Sequence, residues 1–237
     1  MRRLVLLPLL CTLASVTLAS AAPLDMSAPK PWSDSGATAQ VLRAGGHPIA
    51  VVMKIPAAAI DTPPAMRSEA VLPLSGAGLI RSANLQYHPH GHEPEHVYDV
   101  PHYDVHFYTI AEPVRMGIVP GARAGKVTPP AAMLPPGTVV APGYVPTMGY
   151  HVIAKSAPEF AGKPFAITPI LGFWNGDVNF FEVMFSRAWA LQHRTASGAM
   201  LAPAAVKTHG WYPTRYRAAY DAKSGGYTVA VTDFVRR

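Results

Sequence analysis

His102-Tyr103-Asp104-Val105-His106-Phe107-Tyr108-Thr109-Ile110 is rich in aromatic and β-branched residues, and it reads as a β-strand. In an extended chain, residues two apart share a face. His102, Asp104 and His106 therefore point one way, and Tyr103, Val105 and Phe107 the other. One face suits an apolar layer. The other carries a His-Asp-His row on a rigid element.

Working outward, the flanking segments repeat the same grammar. Residues 39–43 and 49–53 flank Gly45-Gly46, a hairpin turn pair. Ile55 to Ile60 reads as a short helix or an extended continuation, closed by Pro63 and Pro64. Residues 69–88 hold apolar positions around Gly76 and Gly78. Residues 148–154 and 165–174 read as strands, and Asn175-Gly176 turns the chain into a returning strand over 178–185. Ser186 is placed to cap a short helical turn. Residues 216–220 and 227–234 flank Gly225-Gly226 as a last hairpin. Many short strands with turn signals predict a mainly β protein, a single-domain β-barrel or sandwich over residues 39–237. Residues 111–147 hold eight prolines and read as a long proline-rich loop lying outside that framework.

Composition agrees. The chain has 237 residues and a formal charge of +6. Its 25 prolines break long helices, which excludes an all-α bundle. The single cysteine excludes a disulfide scaffold and cysteine zinc fingers. Arg2 and Arg3, the apolar stretch from Leu4 to Leu18 and Ala19-Ser20-Ala21 together predict a secretory signal peptide over residues 1–21. Cys11 would leave with it, and the mature chain would carry no thiol, as suits a periplasmic or extracellular location. Residues 22–38 are Pro/Ser/Ala-rich and read as a flexible lead-in. No other apolar run is long enough to span a membrane. Basic residues are scattered without a stripe or run, which argues against a nucleic-acid partner.

Six of the ten histidines fall within residues 88–106: His88, His90, His92, His96, His102 and His106, with Glu93, Glu95, Asp99 and Asp104 among them. Neutral imidazoles with carboxylates are the donor set of divalent Zn, Mn, Fe or Cu. His92-Glu93-Pro94-Glu95-His96 matches H-E-x-x-H, but that motif works on a helix, and Pro94 inside it argues against one. The strand face is the stronger candidate. Two more residues are drawn to it. His151 opens a strand, and Glu182 lies inside the apolar run Phe180-Phe181-Glu182-Val183-Met184-Phe185, where a carboxylate needs a cation or hydrogen bonds. Glu182 is a ligand or acid/base candidate. No nucleophile elbow, phosphate loop or dinucleotide fingerprint is present.

Tyr87-His88-Pro89-His90-Gly91-His92-Glu93-Pro94, Pro101-His102-Tyr103-Asp104-Val105-His106-Phe107-Tyr108, Met148-Gly149-Tyr150-His151 and Phe181-Glu182-Val183-Met184 resemble the signature of an exported bacterial family catalogued as a TTHB-type domain of unknown function. The resemblance runs from about residue 36 across nearly all of the remaining chain. It departs at His88, where Asn is expected and where the histidine could add an unusual ligand, and at Val183, where Pro is expected. It implies an exported β-rich barrel with a metal centre built from His92, His102, His106, His151 and Glu182, and it implies no reaction.

Three functions are compatible with these residues. The first is a metal-dependent enzyme acting on a small molecule: His106, His151 and one of His92 or His102 ligate, and Glu182 completes a shell like that of cupin-type metalloenzymes. Asp104 then orients a histidine or acts as base. The second is a non-catalytic envelope protein that binds metal or a ligand. The third is a structural β protein, a homo-oligomer among its forms, with a buried histidine network.

Overall fold

The computed structural model describes residues 28–119 and 121–237. The expected signal peptide and residues 22–27 of the lead-in lie outside them. In chain order the strands are β1 (Lys30–Pro31), β2 (Thr38–Ala44), β3 (His47–Ile55), β4 (Ser68–Ala77), β5 (Ile80–His88), β6 (His102–Tyr108), β7 (Thr138–Val140), β8 (Tyr150–Ala154), β9 (Ile167–Trp174), β10 (Asp177–Ser186), β11 (Ala196–Ala199), β12 (Trp211–Tyr212), β13 (Arg215–Asp221), β14 (Gly226–Thr232) and β15 (Val235–Arg236). Short helices α1 (Ala57–Asp61), α2 (Glu112–Met116) and α3 (Arg187–Ala190) join them. Ser186 caps α3 by accepting from the Trp189 amide at 3.2 Å.

Eight strands form one sheet in the order β1-β4-β5-β6-β10-β9-β8-β7, and five form another in the order β11-β13-β14-β3-β2. Alternation decides what lies between them. Leu85 and Tyr87, Tyr103, Val105 and Phe107, and Phe181, Val183 and Phe185 face inward from the large sheet. Val51 and Met53 from β3 and Val229 and Val231 from β14 belong to the same buried cluster. The result is a β sandwich. The barrel alternative is not realised: β1 and β7 end the large sheet without pairing to each other, so no closed barrel exists among the described residues.

The other face of the large sheet is also covered. Tyr108, Ile170, Phe180 and Met184 on that face form a second apolar cluster with Tyr98, Met148 and Phe165. The cover comes from the loop between β5 and β6, from residues 111–149 and from the β8–β9 connection, which carries Phe165. The 111–149 segment is not the single irregular loop expected. It contains α2, with Pro113 in the first turn where its missing N–H breaks no helical bond. It also contains two 3₁₀ turns and β7, an edge strand paired with β8. The end of the expected lead-in is likewise tied down. Lys30–Pro31 pairs in parallel with β4, and Trp32 is buried.

Candidate metal centre

Cross-strand register assembles the candidate site. On the outer face, His106 stands between Asn84 on β5 and Glu182 on β10, and His102 stands opposite His88. His102, Asp104, His106 and Glu182 are all buried; alternation on β6 set its three residues on one face, and the covering loops bury that face. A strand cannot bring in His92, so the loop does. Gly91 has φ +74°, and the His92 amide donates to the Tyr98 carbonyl at 3.1 Å, folding the loop back over the sheet. No helix forms there, which removes the H-E-x-x-H geometry.

The ligand candidates fall into two groups rather than one. His88, His92, His102 and Asp104 form the first; His106, His151 and Glu182 form the second. Within each, the donor atoms lie within 4.8 Å of one another. The expected single set of His92, His102, His106, His151 and Glu182 is therefore divided between the groups. Asp104 sits inside the first as a donor in its own right.

In the first group three imidazoles converge on one carboxylate. His88 Nε2 and His92 Nε2 lie 3.0 Å and 3.5 Å from Asp104 Oδ2, and His102 Nε2 lies 3.3 Å from Oδ1. A tetrahedral ion with bonds of about 2.0–2.1 Å separates its ligand atoms by about 3.3 Å. The observed spacings bracket that value. Ring orientation follows from the backbone. His92 Nδ1 lies 2.7 Å from the Glu93 carbonyl, and His102 Nδ1 lies 2.7 Å from the Val100 carbonyl. A carbonyl only accepts, so both Nδ1 atoms are donors. This is how metal-binding histidines are commonly held, with Nε2 turned to the ion.

The charges are set by burial and by Asp104. Burial drives the His102 imidazolium down to a pKa of about 3, despite the pull of Asp104. His102 is then neutral, with its proton on Nδ1 and a lone pair on Nε2. Burial also lowers the pKa of His88. It works against charged His92 as well, but there the hydrogen bond to Asp104 and its charge win, and the pKa is raised. Burial opposes the Asp104 carboxylate too, yet the attraction of His88 and hydrogen bonds from His88 and His92 hold its pKa well below the usual range. The 3.3 Å contact between His102 and Asp104 is thus no ion pair. It sets a lone pair against a carboxylate oxygen, and neither buried atom has a hydrogen-bond partner.

Supporting side chains extend from this group. Gln86 Oε1 lies 3.3 Å from His88 Nε2, and Gln86 Nε2 donates to Glu69 at 2.8 Å. Glu69 also accepts from Arg115 at 2.8 Å, and Arg115 is clamped by Glu112. Tyr98 donates to Glu159 at 2.9 Å. Sequence reading named His88 as an additional ligand beyond the favoured set but missed Gln86, Glu69 and Arg115. Alternation along β5 places Asn84, Gln86 and His88 on one face and could have found them.

A cavity of about 400 Å³ opens beside the group. His88, His92, Asp104 and His151 line it, with Tyr98 and Met148 among its apolar walls. His92 is 26% exposed, whereas His102 and Asp104 are sealed beneath it.

Gly91 gives a direct test of the loop. A Cβ there would lie 2.1 Å from the Tyr98 carbonyl oxygen. Gly91→Ala must therefore displace the turn that carries His92. We expect Co²⁺ affinity to fall by about 10–100-fold, the range seen when support around a metal ligand is lost. Titration followed by visible absorption checks it; unchanged affinity would show that His92 is not a ligand.

No family model, curated protein or solved structure matches the chain. The buried His/Asp cluster could hold a metal ion, and that capacity is carried by the geometry alone.

Proposed function

We propose that the chain is an exported metalloprotein in which His88, His92, His102 and Asp104 hold one divalent transition-metal ion, with a small molecule admitted through the adjoining cavity. The observation that carries this reading is the buried contact of His102 Nε2 with Asp104 Oδ1 at 3.3 Å. Two electron-rich atoms at that distance repel; a cation between them turns the contact attractive. Three imidazoles and one carboxylate suit Zn²⁺, Fe²⁺, Mn²⁺ or Cu²⁺. Export rests on the Arg-Arg start, the apolar stretch and the Ala-Ser-Ala site at the N-terminus.

The cavity favours a metal-dependent enzyme, because a bound ion polarises an oxygen that reaches it. A second reading, a non-catalytic metal-binding protein, is favoured by the ligand count: four protein ligands already fill a tetrahedral shell. Elemental analysis of protein purified without chelating resin tests the common core. Near-stoichiometric metal in the wild type, reduced by one equivalent in His102→Ala, is the expected result. No metal after soaking in each of the four ions would overturn it. Adding azide to the Co²⁺ form of His151→Ala, so that only this group reports, then separates the two readings. A shifted visible spectrum marks an accessible coordination position, and an unchanged one marks a closed site.

A further inference from the structure

We propose that His106, His151 and Glu182 hold a second divalent transition-metal ion, so that the outer face of β6 carries a two-ion centre. None of these residues belongs to the first site, so either ion can fail without the other.

Three strands build this group. The β6–β10 register puts Glu182 directly opposite His106, with Glu182 Oε2 3.5 Å from His106 Nε2. Along β8–β9–β10, His151 pairs with Gly172 and Gly172 pairs with Phe180, which brings His151 to the same face. Gly172 matters here because of a close approach. A Cβ on it would lie 2.1 Å from the Phe180 ring, so its absence lets that ring lie flat on the sheet. Phe180 then meets His106 and His151 edge-on, with ring centroids 4.9 Å and 5.1 Å away, and Tyr108 stacks on His106 at 5.2 Å. His106 is wedged by aromatic packing rather than by hydrogen bonds, whereas His151 also has a hydrogen bond with the Gly149 backbone.

That packing leaves polar atoms of His106 and Glu182 without hydrogen-bond partners. His106 is fully buried, and neither of its ring nitrogens has a hydrogen-bond partner; Glu182 Oε2 is likewise buried and unpartnered. Buried polar atoms are normally satisfied, and those that are not ask for a missing partner. Two imidazoles and a carboxylate whose donor atoms lie within 4.8 Å supply three ligands, the number that protein side chains give to many metal centres. His151 lines the same cavity as His88, His92 and Asp104. His151 is thus the member of the second group that meets the cavity beside the first.

The test is a Co²⁺ titration of the metal-free full chain, read by calorimetry and visible absorption, with thermal melting to check folding. The wild type should bind two ions. Glu182→Gln and His151→Ala should each keep one and weaken the other by more than about 100-fold, beyond the loss typical for a supporting residue. His102→Ala should keep the ion that those variants lose. His151 lies at the cavity wall rather than in the sheet interior, so its variant stands if Glu182→Gln fails to fold. A wild type that saturates at one ion, lost in His102→Ala and retained in His151→Ala, overturns the second site and leaves the first. One ion lost only in His151→Ala overturns the first and supports the second. No ion at all overturns both and assigns the histidines to a hydrogen-bonded network.

Discussion

Asp104→Asn should abolish the thermal stabilisation that Zn²⁺ gives at the first site. An ion that binds only the folded chain stabilises it by about 2.7 kcal/mol at a hundred times its dissociation constant. For a domain of this length, each kcal/mol raises the melting temperature by about 2–4 °C. Wild-type protein should therefore gain about 5–10 °C on adding Zn²⁺ at that level. Asn keeps the shape of the side chain but removes the anion on which His88, His92 and His102 converge at 3.0–3.5 Å. It also offers its own N–H to the lone pair of His102, replacing the cation with a hydrogen bond. The deciding quantity is the difference between melts with and without Zn²⁺, measured in a His151→Ala background so that only one group reports. If the Zn²⁺-induced shift survives Asp104→Asn intact, Asp104 is a hydrogen-bond hub and not a ligand.

What could be read from the chain and what could not divide along local and non-local lines. The face of β6 was legible because period-two alternation is a property of one strand: His102, Asp104 and His106 are buried opposite Tyr103, Val105 and Phe107. Hairpin turns at Gly45-Gly46 and Asn175-Gly176 and the Ser186 cap were legible for the same reason. The division into two groups was not. It depends on which residue each neighbouring strand sets opposite each histidine: His88 faces His102, whereas Glu182 faces His106. Register of that kind is fixed by pairing across the sheet. Barrel against sandwich was open for a similar reason, since closure is decided where the edge strands end. The proline count of residues 111–147 announced broken helices correctly, but it hid an edge strand whose partner, β8, lies ten residues beyond Val140. Trp32 stood in a stretch that composition alone made look loose, and its burial against the sandwich depends on β4.

Acid should unfold the metal-free protein well above the pH at which carboxylates alone would do so. His102 is depressed to a pKa of about 3 and His151 to about 4, both chiefly by burial, and burial holds His106 well below its usual value. In the unfolded chain these imidazoles take up protons near about pH 6.5. The folded state refuses those protons, so its stability is complete above about pH 6.5 and falls as the pH drops toward 4. Glu182 acts with the opposite sign. Burial, and then the charge of Asp104, raise its pKa well above the ordinary carboxylate value. The folded state therefore holds a proton that the unfolded chain releases above about pH 4.3, a contribution present in acid and lost as the pH rises through the folded pKa. His92, raised by Asp104, has that same sign. Neutral His88, His102, His106 and His151 outnumber these two, so the balance favours unfolding in acid. Each net proton is worth about 1.4 kcal/mol per pH unit. Against a total stability on the order of 5–15 kcal/mol, even two net protons move the urea midpoint sharply between about pH 6.5 and 4. His151→Met, which removes one of them, should flatten that slope by about 1.4 kcal/mol per pH unit. A midpoint that stays constant over this range would mean that the buried imidazoles are already protonated in the folded chain, and the lone pair facing Asp104 would not exist.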